Sequence, residues 1–302
     1  MPELPDLTIY CEALRTRLRG AALERARVLG VSFLRSVDPP LSAVEGTVVE
    51  DVQRLGKRIV ISFEPELYLV IHLMIAGRFR WKSRGAKPPG KIGLAAFDFS
   101  SGSLQVTEAS TRKRATLHVV RGRESLQRHN PGGLEVLEAP LEDFRRRLLA
   151  ENHTLKRVLT DPHAFSGIGN AYADEILHCA RLSPVTLTQR LSDPEIERLF
   201  EAVRVTLSGW TDRLRREAAG RFPEKATAFR PGMAVHGRYR EPCPECGAPV
   251  QRIVHAENET NYCARCQTGG RMLADRALSR LLKADWPRTL EEWEERTSAG
   301  RR

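Results

Sequence analysis

Two cysteine pairs limit this chain more than any other feature. Cys243 and Cys246 form one Cys-x2-Cys pair, Cys263 and Cys266 form another, and sixteen residues separate them. Thiols at this spacing fit a tetrahedral four-sulfur zinc site. Such a site is closed, so one structural Zn2+ is expected, with no position left for a substrate. The ion would fold a β-hairpin too small to hold itself together. Gly247 follows one pair, as a tight turn needs. His255, between the pairs, falls outside a filled shell and is expected at the surface. The opening MPELPD is acidic and proline-rich, unlike a signal peptide, so the thiols are expected to stay reduced in a cytoplasm. Cys11 and Cys179 stand alone on apolar helix faces and read as small core residues.

The 302 residues suffice for two modest domains with real cores. Forty-eight Lys and Arg oppose 38 Asp and Glu, a net charge of +10, which favours a polyanionic partner. No run of 18 apolar residues exists, so no membrane partner is expected. Leu7, Cys11, Leu14 and Leu18 share a helical face that Gly20 ends. Short β-branched or alternating segments follow: TVVEDV, KRIVISF, LYLVIHL, GLAAFDF, SLQVTE and ATLHVV. Ser101-Gly102 joins two of them in a hairpin, and the series suggests a sandwich or barrel. The NPGG stretch at 130–133 marks a boundary, and helices are expected from Leu141 to about Ala219. The clearest is capped by Ser192 or Asp193 and buries Ile196, Leu199, Phe200, Val203 and Leu207. Beyond the cysteines, Trp286, Trp293, Leu281, Leu282 and Leu290 imply a helical tail docked on the protein.

Gly167, Ile168 and Gly169 precede a helix expected to start near Asn170. Outward amides and the helix dipole make such a start a phosphate site. Asn170 can add a side-chain hydrogen bond there and Lys156 a charge. A site of this kind grips a phosphate backbone without reading sequence.

Taken in order, four stretches resemble the formamidopyrimidine-DNA glycosylase / endonuclease VIII family, from Met1 to Gln267. They are MPELPD, Lys57 in RLGKR, SGIGNAYADEILHCARLSP from Ser166 to Pro184, and the cysteine module. The resemblance, to a divergent bacterial branch, implies an α+β fold. A catalytic β-sandwich with a flanking helix would occupy 1–132 and a helix–two-turn–helix DNA-binding domain 133–232. A zinc finger at 233–271 and a helical extension at 272–302 would follow. It also implies base-excision repair of damaged DNA by a monomeric, nucleoid-associated enzyme, a glycosylase with abasic-site lyase activity. Pro2, exposed by removal of Met1, would be the nucleophile. A secondary amine attacking sugar C1′ gives an iminium ion, and β- and δ-eliminations follow. An α-amino group titrates at ~7.7–8.0, so a useful fraction is free base at neutral pH. Glu3 is the candidate acid/base, a task that needs a carboxyl whose pKa is raised by burial. Asp6 is a weaker candidate or a helix cap. Lys57 would bind a phosphate or donate a proton during elimination.

The chain departs from the family pattern in three places. An arginine expected five residues before the third cysteine is Asn258, which can bond a phosphate but carries no charge. Arg252 and Arg265 are the cations at hand to compensate. The void-filling HLGM becomes His72-Leu73-Met74-Ile75, so Met74 or Ile75 would be the apolar wedge or would pack in the core. The usual Arg and Phe wedge is replaced by Thr111-Arg112-Lys113-Arg114-Ala115, a basic loop without an aromatic. Arg112, Lys113 and Arg114 would touch phosphates or the orphaned base, or form a solvated turn. Fewer wedges suit abasic, mismatched or single-stranded DNA. The alternatives are a glycosylase for bulky or single-stranded lesions and a non-cutting protein that binds DNA damage or DNA structure.

Overall fold

The computed structural model describes residues 1–224, 226–227, 230–255, 258–275 and 280–299. The chain divides into two compact units, one of 1–133 with 209–228 and one of 134–208 with 229–302. The boundary at Gly133 falls at the end of the NPGG stretch. The 209–228 stretch of the expected helical module clusters with the first unit instead.

The first unit opens with helix α1 (Leu4–Leu18). Strands β1 (Leu23–Val28), β2 (Val49–Leu55), β3 (Arg58–Phe63), β4 (Leu67–His72), β5 (Gly77–Lys82), β6 (Gly93–Phe99), β7 (Gly102–Glu108) and β8 (Thr116–Arg121) follow. They form two antiparallel sheets, ordered β1-β6-β7-β5 and β2-β3-β4-β8. Phe79, Phe97, Leu104 and Val106 of one sheet and Ile59, Ile61, Leu69 and Leu117 of the other belong to one core. Leu7, Tyr10, Cys11, Leu14 and Leu18 bring the apolar face of α1 into it. The expected sandwich with a flanking helix is therefore present. Each fully buried aliphatic or aromatic side chain contributes roughly 1.5–3 kcal/mol. The outer face of β3 and β4 is covered too: Val60, Tyr68 and Val70 pack with Leu126 of the short helix α2 (Arg123–Gln127). From the 209–228 stretch, Phe222 lies against Tyr10 and Trp81, and Glu12 pairs with Arg215.

The second unit holds α3 (Leu141–Leu149), α4 (Leu155–Thr160), α5 (Asn170–Cys179) and the first part of α6 (Asp193–Ala218). Ser192 caps α6, its backbone N–H and its hydroxyl both donating to Glu195. The expected stripe is inward, with Ile196, Leu199, Val203 and Leu207 buried. The hairpin β9 (Val250–His255) and β10 (Asn258–Cys263) follows, then α7 (Ala264–Thr268) and α8 (Leu290–Ala299). Two expectations are corrected. Cys11 is buried, but Cys179 is exposed: α5 is buried all round from Ala171 to His178, and Cys179 is the residue that ends it. In the tail Leu290 and Trp293 pack on the zinc-finger core, whereas Leu281 is 76% exposed. The side chain of His255 lies outside the described residues. Among the described residues no helix is long and apolar enough to cross a membrane.

Candidate functional site

The start of α1 is built as a buried corner. Glu3 is the N-cap, and its carboxylate accepts the backbone N–H of Asp6. Asp6 Oδ2 accepts the N–H of Glu3 in return, at 3.1 Å. This reciprocal capping box fixes both carboxylates and satisfies two helix-end donors. Glu3, not Asp6, is thus the cap. Pro2, Glu3 and Asp6 are all buried. Burial, before any charge, lowers the pKa of the Met1 amine below its ordinary 8.0. Arg78 and Lys57 lower it further, while Glu3 and Asp6 oppose them. The chain terminus, Glu3, Asp6, Lys57 and Arg78 therefore share one electrostatic neighbourhood. Lys57 occupies not a strand but the two-residue turn Gly56–Lys57 between β2 and β3. Gly56 takes φ 60° there, the position at which such turns favour glycine.

Two loops of the first unit carry the remaining candidates. In His72-Leu73-Met74-Ile75, Leu73 is the core residue and Ile75 is 55% exposed. Met74 adopts φ 52°, a left-handed conformation that suits glycine, so the methionine is strained where the family pattern has Gly. Arg78 Nη1 donates to the carbonyls of Ile75 (3.1 Å) and Gly77 (2.7 Å), bracing the exposed tip. His72 is pushed down to about 4, first by burial and then by Arg58 and Lys57, and stays neutral at physiological pH.

The basic loop is organised by a carboxylate that sequence reading missed. Glu108, at the end of β7, is 1% exposed. It accepts the N–H groups of Arg114 (2.9 Å) and Ala115 (3.2 Å) and the hydroxyl of Ser110 (3.2 Å). Lys113 donates to the Glu108 carbonyl. The loop is consequently fixed, with Arg112 exposed and Lys113 and Arg114 half-buried.

In the second unit Gly169 is the N-cap of α5, and Gly167 takes φ 79° just before it. Lys156 Nζ donates to the Asn170 carbonyl and to Asp174, both at 2.6 Å, so its ammonium sits inside the turn of the helix start. Asp174 Oδ2 is also 2.7 Å from His236 Nδ1. Glu175 accepts three successive backbone N–H groups, from Ala234, Val235 and His236, at 2.6–2.9 Å. Asn170 Nδ2 reaches the Glu259 carbonyl of β10 at 2.8 Å. Helix α5 thus ties the phosphate-type turn to the hairpin. The neighbouring acids in ADEIL were the available sequence signal, since two carboxylates on a buried helix need partners. Asn258 is exposed at the start of β10. Arg252 is engaged by Glu259 at 3.0 Å and lies over Tyr239, and exposed Arg265 reaches the Cys246 carbonyl at 3.4 Å.

Cys243, Cys246, Cys263 and Cys266 place their sulfurs within 4.8 Å of one another. Tetrahedral thiolates at ~2.3 Å from zinc lie roughly 3.8 Å apart, so the set fits the ion. His178 Nε2 approaches Cys243 Sγ at 3.2 Å. Gln267 bonds both Cys263 N–H and the Leu182 carbonyl, fastening the cluster to the helices.

Three family profiles match this architecture in order. The formamidopyrimidine-DNA glycosylase N-terminal domain covers residues 1–117 and its H2TH domain 135–210. The zinc finger found in FPG and IleRS covers 240–269. The chain belongs to the formamidopyrimidine-DNA glycosylase family. The glycosylase of Symbiobacterium thermophilum is 31% identical over 282 residues, 88% of this chain and 89% of the relative. An uncharacterized formamidopyrimidine-DNA glycosylase-like protein of Mycobacterium tuberculosis is 40% identical over 151 residues, 50% of this chain and 94% of its own length. The Thermus thermophilus Fpg crystal structure superposes with a TM-score of 0.73 at 30% identity, covering 88% of this chain and 98% of that one. Lactococcus lactis Fpg in complex with FAPY-dG-containing DNA shares the fold, with a TM-score of 0.78 at 23% identity over 88% of this chain and 100% of that one. The four-cysteine cluster is the family's structural zinc site.

Proposed function

We propose that this base-excision DNA glycosylase is also an abasic-site lyase, with the Pro2 nitrogen as nucleophile once Met1 is removed. The observation that carries the proposal is the buried pairing of Pro2 with Glu3 at the first turn of α1, in the field of Lys57 and Arg78. The unprotonated amine attacks sugar C1′, the N–C1′ bond forms, and the damaged base leaves with the electrons of the glycosidic bond. The nitrogen gives up its proton, Glu3 protonates the ring oxygen, the C1′–O4′ bond breaks as the nitrogen lone pair forms the C=N bond, and the opened sugar is held as an iminium ion. Loss of a C2′ proton expels the 3′ phosphate, and a second elimination expels the 5′ phosphate. Lys57 neutralises a phosphate or supplies a proton. Damaged DNA is the partner, as it is for the Lactococcus lactis proteins solved with FAPY-dG or abasic-site DNA. Gly169, Asn170 and Lys156 at the start of α5, together with Asn258, Arg112 and Arg114, would hold the backbone. Ile75, exposed and braced by Arg78, is the stronger wedge candidate of the Met74-Ile75 pair.

Borohydride trapping on abasic duplex DNA tests this reading. A covalent adduct is expected with the wild type. Its absence, where a family enzyme traps under the same conditions, removes the lyase. Tight, salt-sensitive binding without scission would instead mark a non-cutting binder.

Asn258 and the loop without an aromatic at 111–115 favour a second reading, a glycosylase for bulky or single-stranded lesions. A lesion panel decides, and a clear preference for 8-oxoguanine opposite cytosine counts against it.

A further inference from the structure

Beside the zinc hairpin lies a pocket of about 450 Å³, lined on one side by Tyr239, Arg252 and Val254 and on the other by Met272, Trp286 and Trp293. That volume lies within the range of small-ligand sites. Tyr239 carries two guanidinium groups over its ring, Arg252 at 4.2 Å and Arg240 at 5.1 Å from the centroid. Arg252 is paired with Glu259, whereas Arg240 adds positive charge to the pile. The opposite wall comes from the segment that follows the zinc module. It is fastened by the Leu273 N–H donating to the Tyr262 hydroxyl and the Leu290 N–H donating to the Gly270 carbonyl. The Trp286 Nε1–H in that wall is buried and has no acceptor among the described residues. A buried donor is costly to leave without a partner.

Aromatic faces, stacked guanidinium planes and an unused donor are the surfaces that recognise an unstacked nucleobase, whose ring edges are rich in acceptors. We propose that this pocket takes up one unpaired nucleobase of a bound DNA strand, with Arg240 near its phosphate. The assignment rests on the DNA-binding reading above. It adds a site for single-stranded sequence that is separate from the N-terminal pocket.

The test uses the full-length zinc-loaded protein. Fluorescence anisotropy measures affinity for a labelled oligothymidylate, a blunt duplex and a duplex with an unpaired overhang, and free dTMP is added as competitor. Val254→Trp fills the pocket, and Trp286→Leu removes one stacking face while keeping an apolar side chain. Both should weaken oligothymidylate and overhang binding roughly five- to hundredfold. Blunt-duplex affinity and adduct formation on abasic duplex should stay within about twofold. Zinc content checks that the variants fold. If Val254→Trp and Trp286→Leu both bind the single strand as the wild type does, the pocket is not a base site. If dTMP binds in the pocket while strand affinity ignores both variants, the strand assignment is overturned. Failure of the wild type to bind any DNA would sink the parent reading and this one with it, a result distinct from the selective loss expected.

Discussion

In the zinc hairpin the four sulfurs come from two identical Cys-x2-Cys pairs, one in a turn and one at the junction of β10 with α7, and the chain between them is the hairpin itself. The N-terminal corner instead draws on the chain start ahead of α1, Lys57 from the β2–β3 turn and Arg78 from β5. The first centre is assembled by local spacing and an ion. The second exists only when a sandwich has closed over α1. Their stabilities should therefore have different origins, and the two units should fail independently.

Zinc removal gives the largest expected effect. Structural zinc supplies ≈ 10–16 kcal/mol in small fingers, more than the hairpin can replace. Chelation, or Cys263→Ser, should unfold β9, β10 and α7, make them protease-sensitive and abolish tight DNA binding, while the first unit keeps its cooperative melt. Proteolysis with mass mapping reads this directly. Loss of the first unit's transition would break the comparison.

The same contrast explains what the sequence made legible. Spacing alone identified the cysteines, and hydrophobic alternation located β2, β3, β4, β6, β7 and β8. It missed β1 and β5, LERARV and GRFRWK, where charges occupy most outward positions and the inward set is reduced to residues such as Leu23 and Phe79. Pro2 and Glu3 carry no local pattern and were visible only through resemblance. Glu108 gives no sign of its role because a lone carboxylate in sequence looks solvated, and the adjacent Asp174 and Glu175 signal a need for partners without saying which. Their burial against backbone donors is set by distant segments. Cys179 ends a helix that is buried all round from Ala171 to His178, so no apolar periodicity marks it as the exposed residue.

The next effect concerns the pocket's acid–base balance. Glu3→Gln should cut adduct formation by about 10²–10⁴ by removing the acid. Burial and the two cations lower the Met1 amine, and Pro2 lies one residue away in the same buried corner, so trapping in the wild type should rise with pH through a midpoint below 8.0 if the Pro2 amine meets the same field. Arg78→Met removes one cation, so the amine holds its proton to higher pH. The midpoint should move up by a fraction of a unit, with about a two- to fivefold loss at neutral pH. A pH–trapping profile measures both, and an unmoved midpoint would detach Arg78 from the amine.

A smaller effect separates loop support from chemistry. Glu108→Gln turns one accepting oxygen into an N–H that faces the backbone donors of Arg114 and Ala115. It should destabilise the first unit by about 2–3 kcal/mol, several degrees of Tm. The second unit and its zinc should be untouched. Equal loss in both units in a domain-resolved melt would contradict their independence.

The smallest effect returns to the hairpin. Asn258 is exposed at the start of β10, on the same hairpin as Arg252, whose charge is already spent on Glu259. If the hairpin grips phosphate weakly for lack of a free cation, Asn258→Arg restores one. The slope of log affinity against log salt should steepen by about 1, with only a few-fold gain in affinity at moderate salt. The gain should appear on intact and damaged duplexes alike, because a phosphate contact carries no base information. A gain confined to damaged DNA would mean that residue 258 meets the extruded nucleotide itself. An unchanged slope would place the hairpin tip away from the DNA backbone, leaving the α5 start as the grip of the second unit.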